Sequence, residues 1–386
     1  MSSKLKVLIV HNGYQQRGGE DSVVDSECEL LRAHGHDVEV FRRHNDDVAG
    51  ISKAALALNT LWSADSSQAL TTVLDRFKPD VVHVHNTMPL ISPSAYWAAH
   101  RRGVAVVQTL HNFRLMCPQA MFLREGRVCE DCLGHVPWKG VMRACYRGSR
   151  AQTAVLAASV TVHKAIGTYR DKVTRYIALN QFCRQKFIEG GLPADKVVIK
   201  PNFVEDSGVP IWEDRQGGLF VGRLSTDKGV AVLLQAQKLS GANVEVIGAG
   251  DLLPEVQQQL GSRALGFLPV TEIMTKMRMA SYLVVPSLWY ENFPRTLVEA
   301  FSCGLPVIAS RLGALAELVE DGKTGLLFEP GNAQDLAEKL SWAQANPQTM
   351  SQMGRNARLK YEQAYSPQTN YEQLLAIYQD ALISAR

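Results

Sequence analysis

A chain of 386 residues, 46 % hydrophobic and 20 % charged, is long enough for two ordinary globular domains and has the balance of a folded protein, not a disordered one. No window reaches the roughly 18 uncharged apolar residues that a spanning helix needs, and the opening apolar run Val7–Val10 is too short for an export signal, so a cytoplasmic protein is expected. A net charge of +3 does not call for nucleic acid, and the aromatic residues do not interleave with the basic ones.

Short β-branched runs alternate with helical stretches from the start. Lys6–His11 reads as the first buried strand, and a helix over about Asp21–His34 is closed by Gly35. Between them, Gln15–Glu20 carries Gly18 and Gly19, which permit close backbone approach to a phosphate or a sugar. Strands follow at His36–Phe41, Asp80–His85 and Val104–Leu110. His83 and His85 sit on an alternating strand, where support of a site is the better reading, and His111 ends the next strand.

An insert at about 113–150 reads Cys117-x11-Cys129-x2-Cys132-x12-Cys145, a spacing that suits a structural zinc, with reduced or redox-labile cysteines as the alternative. Cys28, Cys183 and Cys303 read as core. From Lys139 to Lys186, ten Lys or Arg residues face one acid, Asp171. That imbalance fits a phospholipid surface or a diphosphate-bearing substrate, or else a solvated face balanced by acids from elsewhere in the fold. The apolar segment Ala151–Val162 reads as a packed helix, with a membrane-interface helix as the alternative. Arg175–Asn180 and Val197–Pro201 are the last strands of this half.

The pattern restarts after a linker at about Val204–Gln216, with strands at Gly217–Arg223, Asn243–Gly248, Ala264–Leu268, Tyr282–Pro286, Pro306–Ser310 and Gly325–Phe328. Tyr361–Arg386 reads as a final helical segment. The fold class is therefore α/β, in two domains with parallel sheets covered on both faces. The expected divisions are 1–204, with the insert, then 205–365, then 366–386 as a helix packing back on the first domain.

The second half carries its motifs just after strands, where ligands bind in such folds. Arg223 and Lys228 follow the first strand, and a guanidinium fork plus an ammonium suits a diphosphate without a metal. Gly248-Ala-Gly250 would let a backbone approach a ligand, and the loop at Gly266 and Phe267 would supply backbone contacts to a base. Tyr290–Phe293 is a loop before a helix that opens near Pro294 and closes at Gly304. Glu291 precedes that helix and Glu299 lies on it, so two acids near a positive helix end are placed to accept sugar hydroxyls.

Glu291–Glu299 as Glu-x7-Glu, the strand Cys303–Ser310, and the segments Arg311–Glu317 and Gly325–Phe328 resemble, in order, the retaining glycosyltransferase family 4. The insert, including Asn112–Cys117, is similar to that of a subset of its members. The resemblance implies two facing Rossmann-like domains of the glycosyltransferase B type. Arg223 and Lys228 would hold the donor diphosphate, Glu291 the sugar and Glu299 the ribose. Asn292, Phe293 and Arg295 would present backbone amides, Gly18 and Gly19 would face the diphosphate, and His111 would lie near the reacting sugar. The family usually has Gly where Pro294 stands and often Gly where Ala314 stands; proline removes one backbone donor. In the front-face mechanism usually proposed for the family, the leaving phosphate takes the acceptor proton and no covalent carboxylate nucleophile is needed. The implied activity is hexose transfer from a UDP- or GDP-sugar to a saccharide or polyprenyl-diphosphate-linked acceptor, with no catalytic metal, in bacterial surface-polysaccharide synthesis, with peripheral contact at the inner membrane. A nucleotide-sugar 2-epimerase and a catalytically dead, zinc-stapled scaffold are the alternatives.

Overall fold

The computed structural model describes residues 4–385; Met1–Ser3 of the expected first domain and Arg386 of the expected last helix lie outside the described residues. The chain divides into two compact units. The first joins the chain up to Phe122 with Glu130–Pro201 and the segment from Tyr371 onward; the second joins Leu123–Cys129 with Asn202–Asn370.

The first unit holds strands β1 (Lys6–Gly13), β2 (Asp37–His44), β3 (Val81–Asn86), β4 (Ala105–Thr109), β7 (Arg175–Ala178) and β8 (Val197–Ile199). The pair β5 (Leu123–Arg124) and β6 (Arg127–Val128) forms a small antiparallel hairpin inside the insert. The main sheet runs β2-β1-β3-β4-β7-β8, every pairing parallel. Strand β3 is buried at all six positions, not alternately, because helices cover both faces of a central parallel strand. One core joins Val7, Ile9, Val24, Leu31, Val81 and Val107 to Leu374 and Tyr378 of the last helix, Pro367–Ser384.

The second unit holds β9 (Gly218–Val221), β10 (Val244–Ile247), β11 (Ala264–Gly266), β12 (Tyr282–Val285), β13 (Val307–Ser310) and β14 (Gly325–Phe328) in the order β11-β10-β9-β12-β13-β14. All its pairings are parallel. Each sheet reverses its strand order at one place, between β1 and β3 and between β9 and β12. The carboxyl ends at such a switch point leave a crevice for a ligand.

The expected final helical segment is two helices, Pro347–Ala364 and Pro367–Ser384. The Ser366 hydroxyl accepts the Thr369 N–H and Pro367 opens the second helix, where its missing donor costs nothing. The segment expected from Ala151 lies in the helix Arg150–Ala165, which buries Leu156, Ser159, Val160 and His163. Among the described residues no helix is long and apolar enough to cross a membrane.

Candidate active site

In the first unit, the end of β1 leads through the glycine pair into the helix Gly19–Ala33. The Gly18 N–H donates to Asp21 Oδ2 at 2.9 Å, and His11 Nε2 meets Asp21 Oδ1 at 2.9 Å. Burial works to raise the Asp21 pKa, but these bonds outweigh it and hold the carboxyl below its usual range. Glu20 beside it has the opposite balance. Burial pushes it up to about 7, against the Tyr14 hydroxyl that donates to it at 2.8 Å.

Four histidines gather at the same strand ends. His111 Nε2 and His85 Nδ1 are 2.8 Å apart with the rings stacked. His83 bridges the Tyr378 hydroxyl and Thr109 Oγ1, both at 2.8 Å. Beneath them Glu27 Oε1 takes the Lys200 ammonium at 2.6 Å, both side chains fully buried. Burial lowers the basicity of all four rings, taking His83 down to about 4 and His85 and His111 well below the usual value, so they are neutral at pH 7. His111 lines a pocket with Gln108, Asn112, Arg114 and Tyr169.

In the second unit, the loop after β9 carries Arg223 and Lys228. Gly229 has φ +70°, and a Cβ there would lie 1.8 Å from the Pro286 carbonyl oxygen, so only glycine lets this loop meet the end of β12. That approach brings Lys228 Nζ to 2.6 Å from Glu291 Oε1. The same oxygen accepts the Ser287 hydroxyl at 2.7 Å and the Trp289 indole N–H at 3.1 Å. Arg223 is paired with Asp227 at 3.0 Å and is largely exposed. Glu299 lies 3.6 Å from the Arg295 guanidinium one turn away, and burial raises its pKa against that arginine. It is a half-buried acid in the middle of the helix Arg295–Ser302.

Asn292 and Phe293 occupy the loop before the helix Arg295–Ser302; the Phe293 ring packs on Tyr365, a structural contact. Gly266 has φ +68° at a strand end, and Phe267 after it is exposed. Gly248 and Gly250 serve the fold. Cβ atoms there would strike the Gly222 and Leu224 carbonyl oxygens at 1.8 and 2.4 Å, so these glycines let two strand-end loops touch.

Cys132 Sγ lies 3.5 Å from the Cβ position of Gly140, whose carbonyl accepts the Cys145 N–H at 3.0 Å, and Pro118 after Cys117 packs on the same glycine. Cys129 is half-buried. The basic stretch is partly balanced within the first unit, Lys186 by Glu130 and Glu189, Arg143 by Asp131 and Arg175 by Asp380. Sequence reasoning missed Glu20, Asp21, Glu27, Lys200, Ser287 and Trp289. The two acids directly after the glycine pair were a readable signal; the Glu27–Lys200 pair, 173 residues apart, was not.

Residues 17–207 match the family described as Glycosyltransferase Family 4, and residues 208–360 match that described as Glycosyl transferases group 1. Over 185 residues, 46 % of this chain, the sequence is 36 % identical to 52 % of the uncharacterized glycosyltransferase MJ1178 of Methanocaldococcus jannaschii. Over 223 residues, 52 % of this chain, it is 27 % identical to 55 % of the amylovoran biosynthesis glycosyltransferase AmsK of Erwinia amylovora. The chain thus spans about half the length of these curated relatives. The structure of Anabaena Alr3699/HepE in complex with UDP is similar with a TM-score of 0.68, covering 97 % of this chain and 100 % of that one at 19 % identity, a likeness of fold. The chain belongs to glycosyltransferase family 4 and has the glycosyltransferase B fold, built as two parallel-sheet α/β units.

Proposed function

We propose that the chain is a retaining glycosyltransferase that moves a hexose from a UDP- or GDP-sugar to a saccharide or lipid-linked saccharide, in bacterial surface-polysaccharide synthesis at the inner membrane face. The observation that carries this reading is the Lys228–Glu291 pair at the switch point of the second sheet. Three donors converge on Glu291 Oε1, which leaves Oε2 to accept sugar hydroxyls. Arg223 and Lys228 carry the positive charge that a departing nucleoside diphosphate needs, so the chemistry requires no metal. His111 serves the sugar as a hydrogen-bonding group. UDP in the similar HepE structure and the biosynthetic role in the name of AmsK support the donor and the pathway class. Exposed Val136, Trp138 and Met142, flanked by Lys139, Arg143 and Arg147, support peripheral docking on an anionic membrane.

The test is a melting-temperature panel with UDP-, GDP- and ADP-sugars, followed by transfer assays. One donor should raise the melting temperature by mass action. Lys228→Ala should lose that shift and at least about 10²-fold in transfer, with its fold intact. Near-normal turnover in both Lys228→Ala and Glu291→Ala would overturn the site. Conversion of the donor sugar without any acceptor would replace transfer by epimerisation.

We also propose that Cys117, Cys129, Cys132 and Cys145 hold a structural zinc that staples the insert. The spacing supports it, and the Cys132 sulfur lies within the insert beside Gly140. Protein purified without chelator should carry about one zinc per chain and yield four newly reactive thiols on its removal; zinc-free protein with the same thiol reactivity would refute the site.

A further inference from the structure

The buried Glu27, His85 and Lys200 lie behind the half-buried His111 as a line of hydrogen-bonding groups with a direction. Lys200 can only donate, and its ammonium takes Glu27 Oε1 at 2.6 Å. The carboxylate's second oxygen, Oε2, lies 3.5 Å from His85 Nε2. Neither atom has a hydrogen-bond partner in a site where an unmet polar group is costly. A carboxylate accepts only, so His85 carries its proton on Nε2. Its Nδ1 is then a bare lone pair, 2.8 Å from His111 Nε2. His111 must therefore carry its own proton on Nε2, and its other ring nitrogen is bare.

We propose that Glu27, held by Lys200, acts through His85 to fix the tautomer of His111, so that His111 offers a bare Nδ1 to the pocket and selects ligand hydroxyls that donate to it. What those hydroxyls belong to, a sugar of donor or acceptor, rests on the function proposed above; the tautomer does not. Glu27 is a positioning residue, since it does not reach the pocket that His85, His111, Asn112 and Arg114 line, and His85, buried at the back of that pocket, positions through the His111 ring it meets. Burial among His11, His83 and Lys200 keeps both imidazoles neutral, so the line transmits a direction and not a charge. A divalent cation fits the same atoms poorly. Glu27, His83 and His85 do bring ligand atoms within 4.8 Å of one another. The Lys200 ammonium already occupies Glu27, however, and both nitrogens of His83 are engaged.

The measurement is long-range proton–nitrogen NMR of the full chain labelled at histidine, at pH 7, which reads which ring nitrogen bears hydrogen. His85 and His111 should both be protonated on Nε2 and bare on Nδ1. In Glu27→Gln the amide oxygen must accept Lys200, which turns the amide NH2 to His85. His85 should then move its proton to Nδ1 and donate to His111, which moves its own proton to Nδ1. The same variant, folded, should lose about 10²-fold in kcat/KM, as expected of a group presenting the wrong face. A wild-type His111 protonated on Nδ1, or on both nitrogens, overturns the proposal, as do unchanged tautomers in folded Glu27→Gln. If that variant does not fold, the wild-type spectrum decides alone. A wild-type protein inactive with every donor would remove the proposed function and leave the tautomer result standing by itself.

Discussion

The two sheets put polar clusters at equivalent places, and the clusters are built in opposite ways. At the end of β9 and β12, Arg223–Asp227 and Lys228–Glu291 are ion pairs whose cations remain within reach of solvent. Both cations are exposed enough to meet a phosphate, Arg223 more than Lys228. At the end of β1 and β3, Glu27, His83, His85 and Lys200 are sealed in, and each is held by at least one close neighbour. One cluster is arranged for exchange with a ligand. The other is arranged to hold one geometry, because a buried polar group without its partner costs kilocalories.

The sharpest way to break this comparison is to remove a charge from each side. Lys200→Met should strand Glu27 in the interior and cost about 3–5 kcal/mol in urea unfolding. Loss of less than about 1 kcal/mol would show that the pair is wet, since exposed pairs contribute no more. A smaller effect comes from Glu20, which burial keeps near 7 against a usual 4.5. Its folded pKa is raised, so the folded chain binds the extra proton between those values and stability falls as pH rises from 4.5 to about 7. Glu20→Gln should therefore stabilise the protein by about 1–2 kcal/mol at pH 8 and be near neutral at pH 4.5. The smallest effect is expected at the exchangeable cluster. Asp227→Asn releases Arg223 and should tighten binding of the active nucleotide about 3-fold at low salt, with the gain fading as salt rises. Weaker binding would mean that Asp227 orients the guanidinium instead of competing with the ligand.

The strands of both sheets were legible because each is a short β-branched run closed by turn residues, and tertiary packing kept that local preference. The β5–β6 hairpin was not, since two-residue strands leave no periodicity to read. The charged loop after β9 and the Glu291–Glu299 spacing were legible because functional groups at strand ends are local in sequence. The line from Lys200 to His111 was not, because it joins four separate segments and its direction depends on which atoms face each other. Gly248-Ala-Gly250 was legible as a special turn but not for its cause, which is the backbone of Gly222 and Leu224 on a neighbouring loop.

The last helix, Pro367–Ser384, belongs to the unit that contains the first strand. Its Tyr371 bonds His36 at 3.0 Å, and Tyr378 and Leu374 complete the core that Val7 and Ile9 begin. On the ribosome, all of Asn202–Asn370 is made between the two parts, a delay of roughly 10–30 s at ordinary rates of synthesis. During that delay the first sheet has an uncovered apolar face and His83 lacks its tyrosine. The second unit is contiguous apart from a short hairpin and can fold at once. The second unit can thus form before the first is complete, and the half made first is the one that needs shelter until Tyr371–Ser384 has been made.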